Sequence, residues 1–460
     1  MEKLETGFIK DKDINRRKYK FGLFVHYGLY SLCGGVWNGK PITFGYSEQI
    51  LSHGKIPKQE YEALKNKFTC KKFDAEKICL LAKNTGMEYV LITAKHHDGF
   101  CLFNTKTTRY NSPNSAAGRD LIKELSEACK KYNLGLGIYF SWIDWNYPYA
   151  LPISDHNSDK IPSAHQKLNI AQLTELFTNY GNLCELWMDM GKPTKKQSEE
   201  IKKLAQNLQP KMMINGRIWN DCGDFCTMGD NKLPSKPLNV PWQTPASIYH
   251  ETWGYRSWQK RTNQNEKAEE LINSIIQVTA MGGSYLLNVG PKGDGSIVKF
   301  EEEILKKIGD FFREQKLSTE NCIDLCKKRN LALPEEKIIE LKDESNTIDF
   351  AQKLYRFTGG DYYSSKFICT ELKAKIKIST ELKEKKMTIL LARKKILKTE
   401  EELQINGKEF CFPADKKEIT IFQNIKPEKQ FEISVCSKGN PLIRKALRQT
   451  DVFLKIQFKN

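Results

Sequence analysis

The stretch YVLITAKHHDGF, residues 89–100, opens as a run of aliphatic and β-branched side chains and closes in two histidines, an acid and a glycine. A short, nearly continuous apolar run reads as a strand buried on both faces, the condition of a parallel sheet covered by helices. The polar cluster at its C-terminal end decides the architecture. The same texture recurs at 21–26, 134–140, 184–188, 212–215 and 284–289, and the first four of these runs end in HYG, SWIDW, MDMG and GR. Between the runs lie stretches whose apolar residues return every three or four positions, at 75–82, 119–132, 170–180, 197–208, 267–281 and 300–314. Strand then helix, repeated, predicts a parallel sheet with crossover helices. An open doubly wound sheet gathers its reactive residues at one switch point, whereas a barrel spreads them over the C-terminal ends of many strands. Polar and aromatic clusters after nearly every run therefore predict an α/β fold of the (β/α)8-like barrel type.

After about residue 330 the texture changes. Tryptophan disappears, and alternating segments at 375–378, 387–391, 418–422, 431–435 and 453–458 are separated by charged or Gly/Pro turns. Alternation of this kind predicts antiparallel strands, so a C-terminal antiparallel β-sandwich domain is expected over 326–460, following a catalytic barrel over 1–325.

Composition narrows the function classes. With 460 residues, 40% hydrophobic and 28% charged, the chain falls among ordinary globular proteins, which excludes collagen, a long coiled coil and wholesale disorder. Lysine and arginine number 73 against 56 acids, a net charge of +17, but the basic residues are interleaved with glutamate and form no aromatic-lined stripe. A solvated lysine face explains such a surplus better than a nucleic-acid partner. No apolar window of membrane-spanning length and no apolar N-terminal leader is present, so no membrane partner is expected and a cytoplasmic or already trimmed, secreted chain is. The 13 cysteines are an odd number without a CxxC pair and sit mostly within apolar runs, as Cys79, Cys101 and Cys184 do, which predicts buried thiols rather than zinc or a disulfide framework.

The chemistry concentrates at the strand ends. In CELWMDMG, residues 184–191, an apolar strand closes on Asp189, and strand-end placement pushes that carboxylate toward the loops at the barrel mouth with Trp187 on the same side. A turn-forming Asp accounts for the acid but not for its aromatic neighbours, so a catalytic carboxylate is the better reading. His26, the pair His96 and His97, and Tyr139, Trp142 and Trp145 stand at three other strand ends. Adjacent histidines on a regular strand face opposite ways, which disfavours a metal centre. Imidazoles and Arg217 offering fixed hydrogen bonds, with aromatic faces for the apolar side of a sugar ring, fit a polyol pocket better.

Taken in order, KFGLFVHYGLYS, ITAKHHDGFCLFNT, GIYFSWIDWN, ELWMDMG, INGR, PASIYHETWGY and GGSYLLNVGPKGDG resemble the α-L-fucosidases of glycoside hydrolase family 29 over roughly residues 15–315. The resemblance implies a barrel followed by a β-sandwich and an exo-acting, retaining hydrolase of terminal α-L-fucose, with a fucosylated glycan as partner and no cofactor. It matches Asp189 to the family nucleophile, and His26, His96, His97, Tyr139, Trp187 and Arg217 to positions lining the fucose pocket, with Tyr27, Trp142 and Trp253 carried by the same motifs and Glu48, in GYSEQI, added to the substrate-binding set. Retention needs a second group that donates a proton to the leaving oxygen and later takes one from water. Three positions are candidates. Asp230 lies in DFCTMGDN, Gln243 stands in VPWQTP where the resemblance expects Glu, and Glu251 lies in HETWGY. An amide cannot shuttle a proton, so if position 243 carries that role the chain is a fucose-binding, hydrolytically crippled variant. Gln49 also stands where the resemblance expects a tryptophan beside Glu48, leaving the pocket wall altered.

Overall fold

The computed structural model describes residues 19–154, 159–220, 222–234 and 241–333, and beyond these 338–341, 345–349, 371–378, 382, 384–393, 401–405, 408–426, 430–437 and 452–459. Eight parallel strands form one sheet: β1 (Phe21–Val25), β2 (Tyr89–Lys95), β3 (Gly135–Ser141), β4 (Leu183–Asp189), β5 (Met213–Ile214), β6 (Cys226–Thr227), β7 (Trp242–Ser247) and β8 (Ser284–Val289). The order runs β5-β4-β3-β2-β1-β8-β7-β6, so the first and last strands of the repeat pair with each other, Phe21 opposite Tyr285 and Val25 opposite Val289. The two ends, β5 and β6, meet through a single parallel bridge between Asn215 and Phe225, supported by Asp224 N–H donating to the Ile214 carbonyl at 2.7 Å. The sheet thus curls into the expected (β/α)8-like barrel, with a thin seam.

The helices of the repeat are α1 (Ala75–Asn84), α2 (Leu121–Tyr132), α3 (Ser163–Asn179), α4 (Lys195–Leu208), α5 (Gln264–Ala280) and α6 (Lys299–Glu314). Local chemistry sets their starts: the side chains of Asp74 and Asp120 accept from the N–H groups of Lys77 and Lys123, and Thr194 with Gln197 forms a reciprocal capping box. Among the described residues no α-helix separates β5 from β6 or β6 from β7, and those connections carry Arg217 and Asp230 instead. A further helix, α7 (Thr319–Lys328), packs Cys322, Leu325 and Cys326 into the barrel core and runs across the expected boundary at 325/326.

Two features escaped the sequence reading. Strand β7, WQTPAS, holds a proline and polar side chains within a central strand, where a proline ordinarily argues against one. Helix α3 begins seven residues before the expected 170, because its first turns bury His165, Gln166 and Asn169 instead of apolar side chains.

The remaining strands, β9 (Ile338–Leu341), β10 (Ser345–Asp349), β11 (Glu371–Ile378), β12 (Lys386–Arg393), β13 (Glu401–Ile405), β14 (Lys408–Phe412), β15 (Glu418–Ile425), β16 (Gln430–Ser437) and β17 (Val452–Lys459), form a five-stranded and a four-stranded sheet. Every pairing is antiparallel except β9 with β11. On β12 and β17 the alternate residues Met387, Ile389 and Leu391 and Leu454, Ile456 and Phe458 are buried, the one-face-in pattern of a sandwich layer.

Candidate active site

The barrel interior is plugged by a cluster of Phe24, Tyr89, Leu91, Tyr139, Trp187, Phe225, Trp253 and Leu286. The candidate site lies at the carboxyl ends of the strands and shares Tyr139, Trp187 and Trp253 with this cluster. Asp189 is the last residue of β4, and the chain turns sharply after it, with Met190 at φ 61° and Gly191 at φ 73°. A methionine in the left-handed region is an uncommon, costly conformation, and here it ends the strand at the acid. Tyr139, from β3, donates its hydroxyl to Asp189 Oδ2 at 2.8 Å, and Arg217 Nη1 donates to Asp189 Oδ1 at 2.9 Å.

Arg217 follows β5 on a short 3-10 turn and makes a second ion pair, Nη2 to Asp230 Oδ1 at 2.7 Å. Its guanidinium lies 4.6 Å over the Trp187 ring, and its carbonyl accepts from Trp142 Nε1 at 3.1 Å. Asp230 belongs to the connection from β6 to β7 and is half-buried. Two carboxylates, one ending β4 and one from the connection between β6 and β7, are therefore gathered by one planar fork, the geometry for which arginine is suited.

The histidines complete the ring. His26 packs against Phe24, Tyr139 and Trp253, and His96 stacks on Tyr139 at 5.2 Å and 8°. Strand β2 ends at Lys95 with a register irregularity after Thr93, and this break in the pleat lets both His96 and His97 turn toward the same site. His97 Nε2 lies 3.9 Å from Asp189 Oδ2. Burial pushes His26 and His97 down to about 3 and His96 well below its usual value, so all three are neutral imidazoles at ordinary pH.

Tautomers follow from the partners. Asn288 Nδ2 donates to the Trp253 carbonyl at 2.7 Å, so its Oδ1, 2.6 Å from His26 Nδ1, accepts, and His26 carries its proton on Nδ1. Ser141 spends its hydroxyl proton on the Ile143 carbonyl at 2.8 Å, so His97 Nδ1, 2.7 Å away, is the donor. Both rings therefore carry their lone pair on Nε2, an acceptor for a hydroxyl. Glu48 is buried beside them, takes the N–H groups of Trp253 at 3.2 Å and Gly254 at 2.7 Å, and is pushed up to about 7 by burial.

The structure brings Asp189, Arg217, Asp230, Tyr139, Trp187, His26, His96, His97 and Trp253 together, with Glu48 tied to the Trp253 loop. Tyr27 does not join them. It follows His26 on an extended chain, faces the other way, stacks on Phe73 at 5.6 Å and donates its hydroxyl to the Gly293 carbonyl. Trp142 is fully buried and serves as a prop for the Arg217 backbone. Gln243 lies in the barrel interior with its amide engaged on both sides, and Glu251 is exposed on the loop after β7. Asn288 and Ser141, which set the two tautomers, were not singled out from sequence, although both stand at or next to the ends of apolar runs. Among the described residues no group of three His, Cys, Asp or Glu is arranged to hold a metal ion.

A family model described as Alpha-L-fucosidase matches residues 10–316. The chain is 29% identical to an alpha-L-fucosidase of Dictyostelium discoideum over 319 residues, covering 64% of this chain and 68% of the relative. It is 28% identical to tissue alpha-L-fucosidase of Homo sapiens over 311 residues, covering 63% of this chain and 65% of the relative, so about two thirds of the length of such relatives is spanned. Among solved structures, unliganded alpha-L-fucosidase AlfC from Lactobacillus casei aligns with a TM-score of 0.60 at 31% identity, over 66% of this chain and 99% of that one. A GH29 alpha-L-fucosidase from Bacteroides thetaiotaomicron, trapped as a covalent intermediate, aligns over 95% of this chain and 100% of that one, with a TM-score of 0.61 and 22% identity, a likeness of fold.

Proposed function

The chain belongs to the α-L-fucosidase family, and from that premise we propose that it is an exo-acting, retaining α-L-fucosidase of glycoconjugates, with Asp189 as nucleophile and Asp230 as acid/base. The observation that carries this reading is the Arg217 fork, which holds both carboxylates at the mouth of the barrel beside three neutral imidazoles. Tyr139 and Arg217 orient the two oxygens of Asp189, and the unprotonated Nε2 atoms of His26 and His97 supply acceptors for ring hydroxyls.

The reaction is a double displacement. An Asp189 oxygen attacks the anomeric carbon while the bond to the leaving oxygen breaks, its electron pair staying on that oxygen, which takes the proton of Asp230. The product of this step is a fucosyl ester on Asp189. Asp230, now a carboxylate, takes a proton from water as the water oxygen attacks the same carbon. The ester bond breaks, its pair returns to Asp189, and fucose leaves with the configuration it had in the substrate.

The crippled-enzyme reading needs Gln243 to occupy the acid/base position. Its carboxamide is spent on Trp187, Tyr89 and Glu185 inside the barrel, which favours the active reading with Asp230. Release of 4-nitrophenol from 4-nitrophenyl α-L-fucoside by the wild type, and its loss in Asp189→Ala, tests the proposal. Unchanged turnover in a folded Asp189→Ala protein would remove Asp189 as the nucleophile.

A further inference from the structure

Gln243 is fully buried on β7 and links three side chains of the barrel interior. Its Nε2 donates to the Tyr89 hydroxyl at 2.9 Å and to Glu185 Oε1 at 3.0 Å, and its Oε1 accepts from Trp187 Nε1 at 2.9 Å. Trp187 is in turn the plate on which the nucleophile's two partners rest. Arg217 lies 4.6 Å over the indole, and Tyr139 stacks on it at 5.6 Å and 20°. These are the same two groups that bond Asp189 Oδ1 and Oδ2.

We propose that Gln243 is a positioning residue for Asp189, acting through Trp187: the carboxamide sets the rotation of the indole, and the indole fixes Arg217 and Tyr139 against the nucleophile. The inference rests on the reading of Asp189 as the attacking group.

The residue type follows from its neighbours. An indole N–H only donates, so it requires an acceptor, while the oxygen of Glu185 requires a donor. An amide presents both at once and carries no charge; a flipped amide would set two donors against each other. A carboxylate at position 243 would stand 3.0 Å from Glu185 in a buried interior. Two such acids hold one proton between them and repel when it is lost.

The experiment compares Gln243→Glu and Gln243→Leu with wild type on 4-nitrophenyl α-L-fucoside across pH, alongside fluorine NMR of protein labelled with 5-fluorotryptophan, the Trp187 resonance being assigned with Trp187→Phe. Gln243→Glu is expected to keep turnover within about threefold of wild type at acid pH, where the pair shares its proton and the hydrogen bonds survive. On raising the pH it gains an alkaline loss of kcat that wild type lacks, and the Trp187 resonance moves over the same range. Gln243→Leu strands the indole N–H and is expected to lower kcat by roughly 10-fold to 100-fold with KM changed far less. A rise in Gln243→Glu turnover of tenfold or more would overturn the proposal, since position 243 would then be supplying the proton. So would a Gln243→Glu pH profile and Trp187 resonance that both superimpose on wild type, or an unchanged kcat in Gln243→Leu. If Gln243→Leu fails to fold, the near-isosteric Gln243→Glu still decides the matter. Absence of fucose release by wild type would instead defeat the fucosidase reading, and the Trp187 resonance would still report whether Gln243 holds the indole.

Discussion

Asp189 and Asp230 hang from the two terminal nitrogens of one guanidinium, Arg217 reaching the first at 2.9 Å and the second at 2.7 Å. Asp189 ends β4, and Arg217 and Asp230 come from the connections after β5 and β6, so three successive strand ends converge on a single planar group.

Removing the nucleophile separates it from its neighbours by stereochemistry. Asp189→Gly is expected to lose roughly 10⁴-fold or more in kcat on aryl fucosides. Azide added to this variant should enter from the face that Asp189 vacated and give β-fucosyl azide, identified by proton NMR. Recovery of the α-azide would place the missing group on the other side of the sugar.

The acid/base assignment is tested by leaving group. Asp230→Ala should lose roughly 10² to 10⁴-fold on fucosyl disaccharides, whose leaving alcohol needs a proton, and far less on fucosyl fluoride. Azide should rescue it with the α-azide as product. Glu251→Gln, altering an exposed carboxyl, should stay within about threefold of wild type on both substrates. The reverse pattern would move the role to Glu251.

Arg217→Lys preserves the charge and removes the fork. An ammonium reaches one carboxylate at a time, so a fall in kcat of about 100-fold is expected, with little loss of melting temperature. A near wild-type kcat would mean that the bridge between the acids is incidental.

His165 gives a pH dependence whose sign is fixed by burial. The ring sits in α3 and is pushed down to about 4, burial acting first and the charge of Lys95 second. The unfolded chain protonates near its usual 6.5, so the contribution to stability is complete above 6.5 and lost as the pH falls from there toward 4, amounting to about 2 kcal/mol at pH 5. His165→Asn should therefore show a smaller fall in melting temperature between pH 7 and pH 5 than wild type does. An equal fall would mean that His165 is protonated in the folded protein.

How far the sequence spoke depended on where polar groups sit. Strands β1, β2, β4 and β8 were legible because nearly every residue in them is buried and most are apolar. Strand β7 was hidden because Gln243 serves an internal hydrogen-bond network rather than a solvent face, and periodicity does not distinguish the two. Asp189 could be found from its place at a strand end. Its link to Asp230 could not, since the segment 216–234 has no repeating pattern and the contact exists only once β4, β5 and β6 lie side by side. The opposed facing of neighbours on an extended chain would have sent Tyr27 away from His26, and it failed for His96 and His97 because β2 stops being regular at Lys95.

Among the described residues, the Asn215–Phe225 bridge is the one place where neighbouring strands of the ring are joined by an isolated bridge instead of a ladder. Heat or denaturant should prise the cylinder apart there first, with the amides of Asp224 and Gly216 exchanging with deuterium before those of β2 or β3. Arg217 stands two residues from that rung, so a brief parting swings the guanidinium off both acids while the rest of the molecule keeps its shape, and heating should silence the protein before it melts.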